Sequence, residues 1–152
     1  MKKEKRNRRS HELIREMIEL YHPKSIKDIQ EMLKDMFADT MEDMLKAELD
    51  TELGYSKNSQ AAKTTENRRN GSYPKTVTSS MGEIELNIPR DRMGEYNPEL
   101  IPKGTKDVSA LEEKVLSLYA KGTSDRDISD VINEIYGFSL SHETISNIVD
   151  RV

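Results

Sequence analysis

The chain has 152 residues, 34% of them hydrophobic and 34% charged, with a net charge of −4 and neither Trp nor Cys. That apolar share supports small helical units joined by solvated segments rather than one large globule. The missing cysteine excludes disulfides, thiolate nucleophiles and Cys-built zinc sites; no apolar run reaches the roughly 18 to 20 residues of a membrane span, and a cytoplasmic protein is expected.

From the N-terminus, residues 1–9 hold six basic groups and one acid, which fits either a solvated tail or a phosphate-contacting arm. No apolar stretch follows them, so they do not read as a signal peptide. The spacing of Leu13, Ile14, Met17, Ile18 and Tyr21 predicts a first helix from Ser10 to Tyr21, stopped by Pro23. Ser25, with Asp28 three residues on, is placed to cap a second helix. Apolar residues from Ile29 to Leu53 recur mostly every three or four positions, and Gly54 supplies the stop. This helix spans about 40 Å at 1.5 Å per residue. Its stripe is longer than the first helix can cover, so its cover is either a second copy of the chain or the chain's own C-terminal helices.

Ser56 to Asn70 is polar and without periodicity, the pattern of a linker. Thr76-Val77-Thr78 and the alternating Glu83–Ile88 predict a hairpin turning at Ser80-Met81-Gly82. Arg68, Arg69, Lys75, Arg90 and Arg92 flank it, with Asn70-Gly71 read as a flexible turn. These cations are placed either to grip phosphates or to pair with Asp91, Glu83 and Glu95. Prolines and glycines make the stretch to Lys106 irregular.

Three short amphipathic helices are predicted beyond it. The first starts at a Ser109/Glu112 capping box and ends at Gly122; the second runs from Thr123 or Ser124 to Gly137; the third begins at Ser141, with Ile145, Ile148, Val149 and Val152 inward. They form a helix-turn-helix-like unit. The fold class is therefore mainly α: an N-terminal helical hairpin with a long helix (1–54), a linker and basic β-hairpin segment (55–106), and a trihelical unit (107–152). In such a unit the last helix lies in the major groove, its N-terminal residues at base edges. Asn147 is the candidate for a bidentate adenine contact. Ser141, His142, Thr144 and Ser146 are candidates for base or phosphate contacts, and Arg151 for a phosphate. Against this, residues 107–152 carry nine acidic and four basic groups, whereas 57–106 carry six and nine.

No catalytic constellation emerges. His11, His22 and His142 lie far apart in sequence, and there is no GxxxxGK loop. Most carboxylates sit on polar helix faces.

Three groups of residues together resemble the Mutator-type insertion-sequence transposase family. They are Leu45-Lys46-Ala47-Glu48-Leu49-Asp50 with Leu53-Gly54-Tyr55 and Lys57; Arg69-Asn70-Gly71 with Lys75-Thr76-Val77, Gly82, Ile88-Pro89-Arg90-Asp91-Arg92, Gly94, Pro98, Ile101 and Pro102; and Leu118 to Gly122 with Arg126-Asp127-Ile128, Tyr136-Gly137 and Ser141 to Val152. The resemblance implies an RNase H-like catalytic domain with an Asp-Asp-Glu triad and Mg²⁺, preceded by a DNA-recognition region that these residues match. It places the first catalytic Asp just after a segment like Ser141–Val152, so no acid of this chain is carried over to the triad and no cofactor is expected in it. The implied partner is double-stranded DNA at terminal inverted repeats, bound by a homo-oligomer in the nucleoid, with no membrane involved. The competing readings are a non-catalytic fragment pairing with full-length transposase through the long helix, a stand-alone repressor, and a gene remnant.

Overall fold

The computed structural model describes residues 12, 15–54, 66–121, 125–137 and 141–151, without the side chains of residues 116–121, 125 and 151. The basic tip, the Gly122 stop, the Thr123 or Ser124 cap and most of the linker lie outside the described residues.

The described part of the first helix, α1, covers residues 15–21. His22, with φ of 46°, donates its N–H to the Ile18 carbonyl at 2.9 Å and turns the chain into Pro23. The long helix α2 spans Ile26–Leu53. Ser25 caps it as its spacing predicts: the Ser25 hydroxyl accepts from the Asp28 N–H at 3.1 Å, and the Asp28 carboxylate accepts from the Lys24 N–H at 2.9 Å. Gly54 closes it in the left-handed region, φ 77°, giving its N–H to the carbonyls of Asp50 and Thr51.

Strands β1 (Arg69–Ser79) and β2 (Gly82–Asp91) pair antiparallel through Ser80-Met81. Both are longer than their hydrophobic alternation indicates. Asn70-Gly71 is not a turn between arginines but lies inside β1, as an irregular step in the register between Arg69↔Asp91 and Ser72↔Pro89. Val77, Ile84, Leu86 and Ile88 form the inner row. From residue 92 the chain is irregular, yet it buries Tyr96, Leu100, Ile101 and Val108. Thr78 bonds to it on both sides, donating to the Lys106 carbonyl at 2.7 Å and accepting from the Val108 N–H at 2.8 Å.

Helices α3 (Ser109–Lys121), α4 (Asp125–Tyr136) and α5 (His142–Arg151) follow. The expected Ser109/Glu112 box does not form. Asp107 takes the cap instead, accepting from the Ser109 N–H at 2.9 Å and its hydroxyl at 2.6 Å. Glu112 is thereby free to reach the hairpin turn, where it accepts from the Ser80 N–H at 2.9 Å and hydroxyl at 2.8 Å. Gly137 ends α4 with φ of 68°, and Ser141 caps α5, accepting from the Thr144 N–H at 3.2 Å.

One hydrophobic cluster draws on α2, the hairpin, the irregular segment after it and the last three helices of this mainly α fold. It joins Phe37, Met41, Met44 and Leu45 of α2 to Leu86 and Ile88 of β2, Ile101, and Val115, Ile132 and Ile148 of the last three helices. From Phe37 onward the stripe of α2 is thus covered by its own chain. The apolar face of α1 and the start of α2 is not: Leu20 is 74% and Ile26 77% exposed, with Ile18, Tyr21 and Ile29 also open. Among the described residues no helix is long and apolar enough to cross a membrane.

Candidate nucleic-acid interface

Four arginines gather at the open end of the hairpin, away from the Ser80-Met81 turn. Arg69 is opposite Asp91 in the register, and the Arg92 N–H donates to the Arg68 carbonyl at 2.7 Å, which sets residues 68 and 92 side by side. Arg90 and Arg92 are exposed while Asp91 between them is buried. The alternation of Ile84, Leu86 and Ile88 breaks at Ile88-Pro89, which are both buried, so beyond that step the buried position is 91 and the exposed ones are 90 and 92.

A buried polar clasp holds the two strand ends together. Asp91 Oδ2 accepts from Asn67 Nδ2 at 2.8 Å and from the N–H groups of Glu95 and Tyr96 at 2.7 and 3.2 Å. Asn67 Oδ1 in turn accepts from the Arg68 N–H at 2.9 Å and the Met93 N–H at 3.1 Å. Burial by itself raises the Asp91 pKa, but these donors outweigh it and hold the carboxyl below its ordinary range. Arg69 is half-buried and paired with buried Asp50 of α2, tying the start of β1 to the long helix. Arg68 is half-buried too, with Nη1 on the Asn67 carbonyl at 2.8 Å.

Lys75 does not join this group. It pairs with Leu86 and is half-buried, between half-buried Tyr73 and buried Val77 on the same side of β1. Four residues of strand separate that level from Arg90, roughly 13 Å at 3.3 Å per residue. The outer positions nearer the turn carry Glu83 and Glu85. Positive charge is therefore concentrated at the open end.

The expected reading helix is seated on α2. Thr144 is 6% exposed, and Asn147, read from periodicity as outward, is half-buried with Nδ2 donating to Thr51 Oγ1 at 2.9 Å. Ser141, His142 and Ser146 are exposed, together with Glu143 and Asp150. The side chain of Arg151 lies outside the described residues. Periodicity counted one buried face for this helix, whereas α5 has two, one toward α4 and one toward α2.

Beneath α5 lies a second polar centre. Glu48, 6% exposed, accepts from Tyr136 Oη at 2.5 Å, Tyr96 Oη at 3.3 Å, and the N–H groups of Glu99 and Leu100 at 2.7 and 3.2 Å. Desolvation pushes its pKa up, against the opposing pull of those four bonds. Burial and then the Glu48 charge raise both tyrosine hydroxyls far above their ordinary range. A cleft of about 290 Å³ opens beside it, lined by residues including Thr51, Glu52, Asn97 and Ser141.

Asp50, Asp91 and Glu48 were not singled out by sequence, though two carried a signal. Glu48 falls on the apolar stripe, three residues from Leu45 and one from Leu49, and Asp91 is the lone acid between two arginines. Their lone pairs are turned to N–H, O–H and guanidinium donors, the opposite of what a cation needs. Among the described residues no three His, Asp or Glu side chains converge as a metal-holding group, so these residues do not fit the Mg²⁺ that the resemblance implies.

The arginine-edged hairpin thus sits on a largely helical core. The Mutator family of transposases matches residues 8–152. The chain belongs to that family. It is 40% identical over 122 residues to the transposase for insertion sequence element IS905 of Lactococcus lactis, covering 80% of this chain and 31% of that protein. The transposase for IS1201 of Lactobacillus helveticus is 35% identical over 120 residues, 79% of this chain and 32% of its own. That for ISRM3 of Rhizobium meliloti is 33% identical over 141 residues, 93% and 34% respectively. The chain spans about a third of the length of these curated relatives.

Proposed function

We propose that this chain is the DNA-recognition portion of an insertion-sequence transposase and binds the element's terminal inverted repeats. The observation that carries this reading is the open end of the hairpin, where Arg90 and Arg92 are exposed beside Arg68 and the intervening acid is turned inward. Guanidinium groups suit phosphate oxygens because they present several N–H donors in a fixed planar fork. In this reading the exposed Ser141, His142 and Ser146 at the start of α5 are further base or phosphate contacts, and Arg151 a further phosphate contact. The Asp-Asp-Glu chemistry and Mg²⁺ of the family are assigned to none of these residues. The implied place of action is the nucleoid.

Fluorescence anisotropy on a duplex carrying the terminal repeat, and on a shuffled duplex, tests the reading. The Arg90→Ala/Arg92→Ala chain is expected to bind both duplexes more weakly. Its slope of log affinity against log salt falls by roughly 1.8, about 0.9 for each phosphate released. An unchanged slope and affinity would move the contact elsewhere.

A second reading is favoured by the uncovered Leu20, Ile26 and Ile18. In it, α1 and the first turns of α2 pair two copies, or pair this chain with a full-length transposase, because a contiguous apolar surface gains by being removed from water. Sedimentation at tens of micromolar is expected to give a dimer that Leu20→Glu/Ile26→Glu converts to a monomer. A monomeric parent chain sinks this reading.

A further inference from the structure

The register of the hairpin steps from Arg69↔Asp91 to Ser72↔Pro89, so Asn70 and Gly71 together oppose the single residue Arg90. Two residues against one is a β-bulge, a device that re-aims a side chain out of the regular alternation. Gly71 permits it with φ of 66°, a conformation that a residue with a Cβ adopts only with strain. Asn70 is exposed on this bulge, and its carbonyl accepts from Arg90 Nε at 3.3 Å. The backbone of Asn70 is thereby tied to the Arg90 guanidinium, with the Asn70 side chain exposed.

We infer that Asn70 reads a base edge, as a specificity-determining residue flanked by the arginine anchors. This rests on the DNA-binding reading above. The major groove of B-DNA admits a two-stranded ribbon, and an Asn amide matches the N6–H donor and N7 acceptor of adenine in a bidentate pair. The other described asparagines are placed differently. Asn67 is buried in the clasp and Asn147 is turned onto Thr51. Asn133 is half-buried on α4. Asn87 is opposite Pro74, two residues from Glu85 on the exposed side of its strand, and its N–H donates to Glu42 Oε1. Asn97 lines the cleft with Glu48, Glu52 and Glu99, where carboxylates repel a phosphate backbone. Asn70 alone among them combines exposure with neighbouring guanidinium groups. Phosphate contacts give no sequence information, so an amide at the centre of such contacts is where discrimination is gained.

The test is selection from a pool of randomised duplexes at near-physiological salt, run with the parent chain and with Asn70→Ala, whose fold is checked by circular dichroism. The parent chain is expected to enrich a motif with adenine at one position of each site. Asn70→Ala is expected to lose that preference by tenfold or more, the order a bidentate pair supplies, while the rest of the motif stays. A motif unchanged by the substitution overturns the inference and leaves DNA binding intact. So does a loss of affinity equal across all sequences, which would make Asn70 a backbone contact. A parent chain that binds nothing in the pool overturns the DNA-binding reading itself, and the inference with it.

Discussion

Glu48→Ala is expected to lower the melting temperature by roughly 10 °C, the largest stability loss for a single polar side chain in this protein. The carboxylate is the meeting point of α2, the irregular segment after β2, and α4. Its removal takes one hydrogen bond from Tyr136 Oη and leaves the N–H groups of Glu99 and Leu100 without the Glu48 acceptor, whereas Tyr96 Oη keeps the Leu45 carbonyl at 3.2 Å. Each buried donor left unpaired costs about 1 to 3 kcal/mol. Water entering through the adjacent cleft and relief from burying a charge offset part of that, which leaves about 3 to 4 kcal/mol. At roughly 2 to 4 °C per kcal/mol for a chain of this size, the shift follows. Glu48→Gln separates the charge from the bonds, since an amide retains one oxygen acceptor and cannot ionise. The folded-state pKa of Glu48 is raised, so the native state holds the proton more tightly than the unfolded chain. The parent chain therefore loses stability relative to Glu48→Gln as pH rises from the ordinary glutamate range through the raised folded value, and the difference is flat above it. Thermal melts across that window check the sign. A difference that grows in favour of the parent chain with rising pH would mean that the hydrogen bonds, not desolvation, dominate the site.

Asp91→Ala is expected to weaken DNA binding by tenfold or more, although it deletes a negative charge from between two arginines. Charge alone argues the reverse. A carboxylate a few ångströms from a phosphate costs about 1 kcal/mol in water and less when screened by salt, so its loss would tighten binding slightly. The clasp is the larger effect. Asp91 Oδ2 holds Asn67, Glu95 and Tyr96 together, and a hydrogen bond to a charged group is worth about 1.5 to 3 kcal/mol. Without it the strand ends that carry Arg68, Arg90 and Arg92 fray, and phosphate contacts are lost with the order that positions them. Asp91→Asn is the rescue: its amide oxygen takes the place of Oδ2, keeps the three bonds in neutral form and restores most of the affinity. Because the Asp91 pKa is lowered in the fold, its stabilising contribution is complete above the ordinary aspartate range and is lost as pH falls through the lowered value. This is the opposite sense to Glu48. Asp91→Ala binding as tightly as the parent chain, with unchanged melting temperature, would reduce the clasp to decoration.

Local features of the chain were legible without the fold. Ser25, Gly54, Gly137 and Ser141 bound their helices where their chemistry predicts, and the inward rows Val77–Ile84–Leu86–Ile88 and Ile128–Val131–Ile132 follow from spacing. The arginine content of the middle segment and the family motifs were equally plain. Less legible were the strand ends. Arg69-Asn70-Gly71 has the composition of a turn and is carried within β1 because the pairs Arg69↔Asp91 and Ser72↔Pro89 form on either side of Asn70-Gly71.

By itself, the sequence determined the helices and hairpin, the caps of α2 and α5, the charge segregation and the family. Each of these depends on residues within a few positions of one another, where backbone geometry fixes neighbours in advance. Only the tertiary structure decided which polar groups are buried and which face outward. Glu48 is joined to Tyr136 across 88 residues and Asn147 to Thr51 across 96. A helix with one apolar stripe has an open opposite face until a second partner docks there, and α2 is that partner for α5. That contact turns Asn147 inward, and the bulge opposite Arg90 turns Asn70 out.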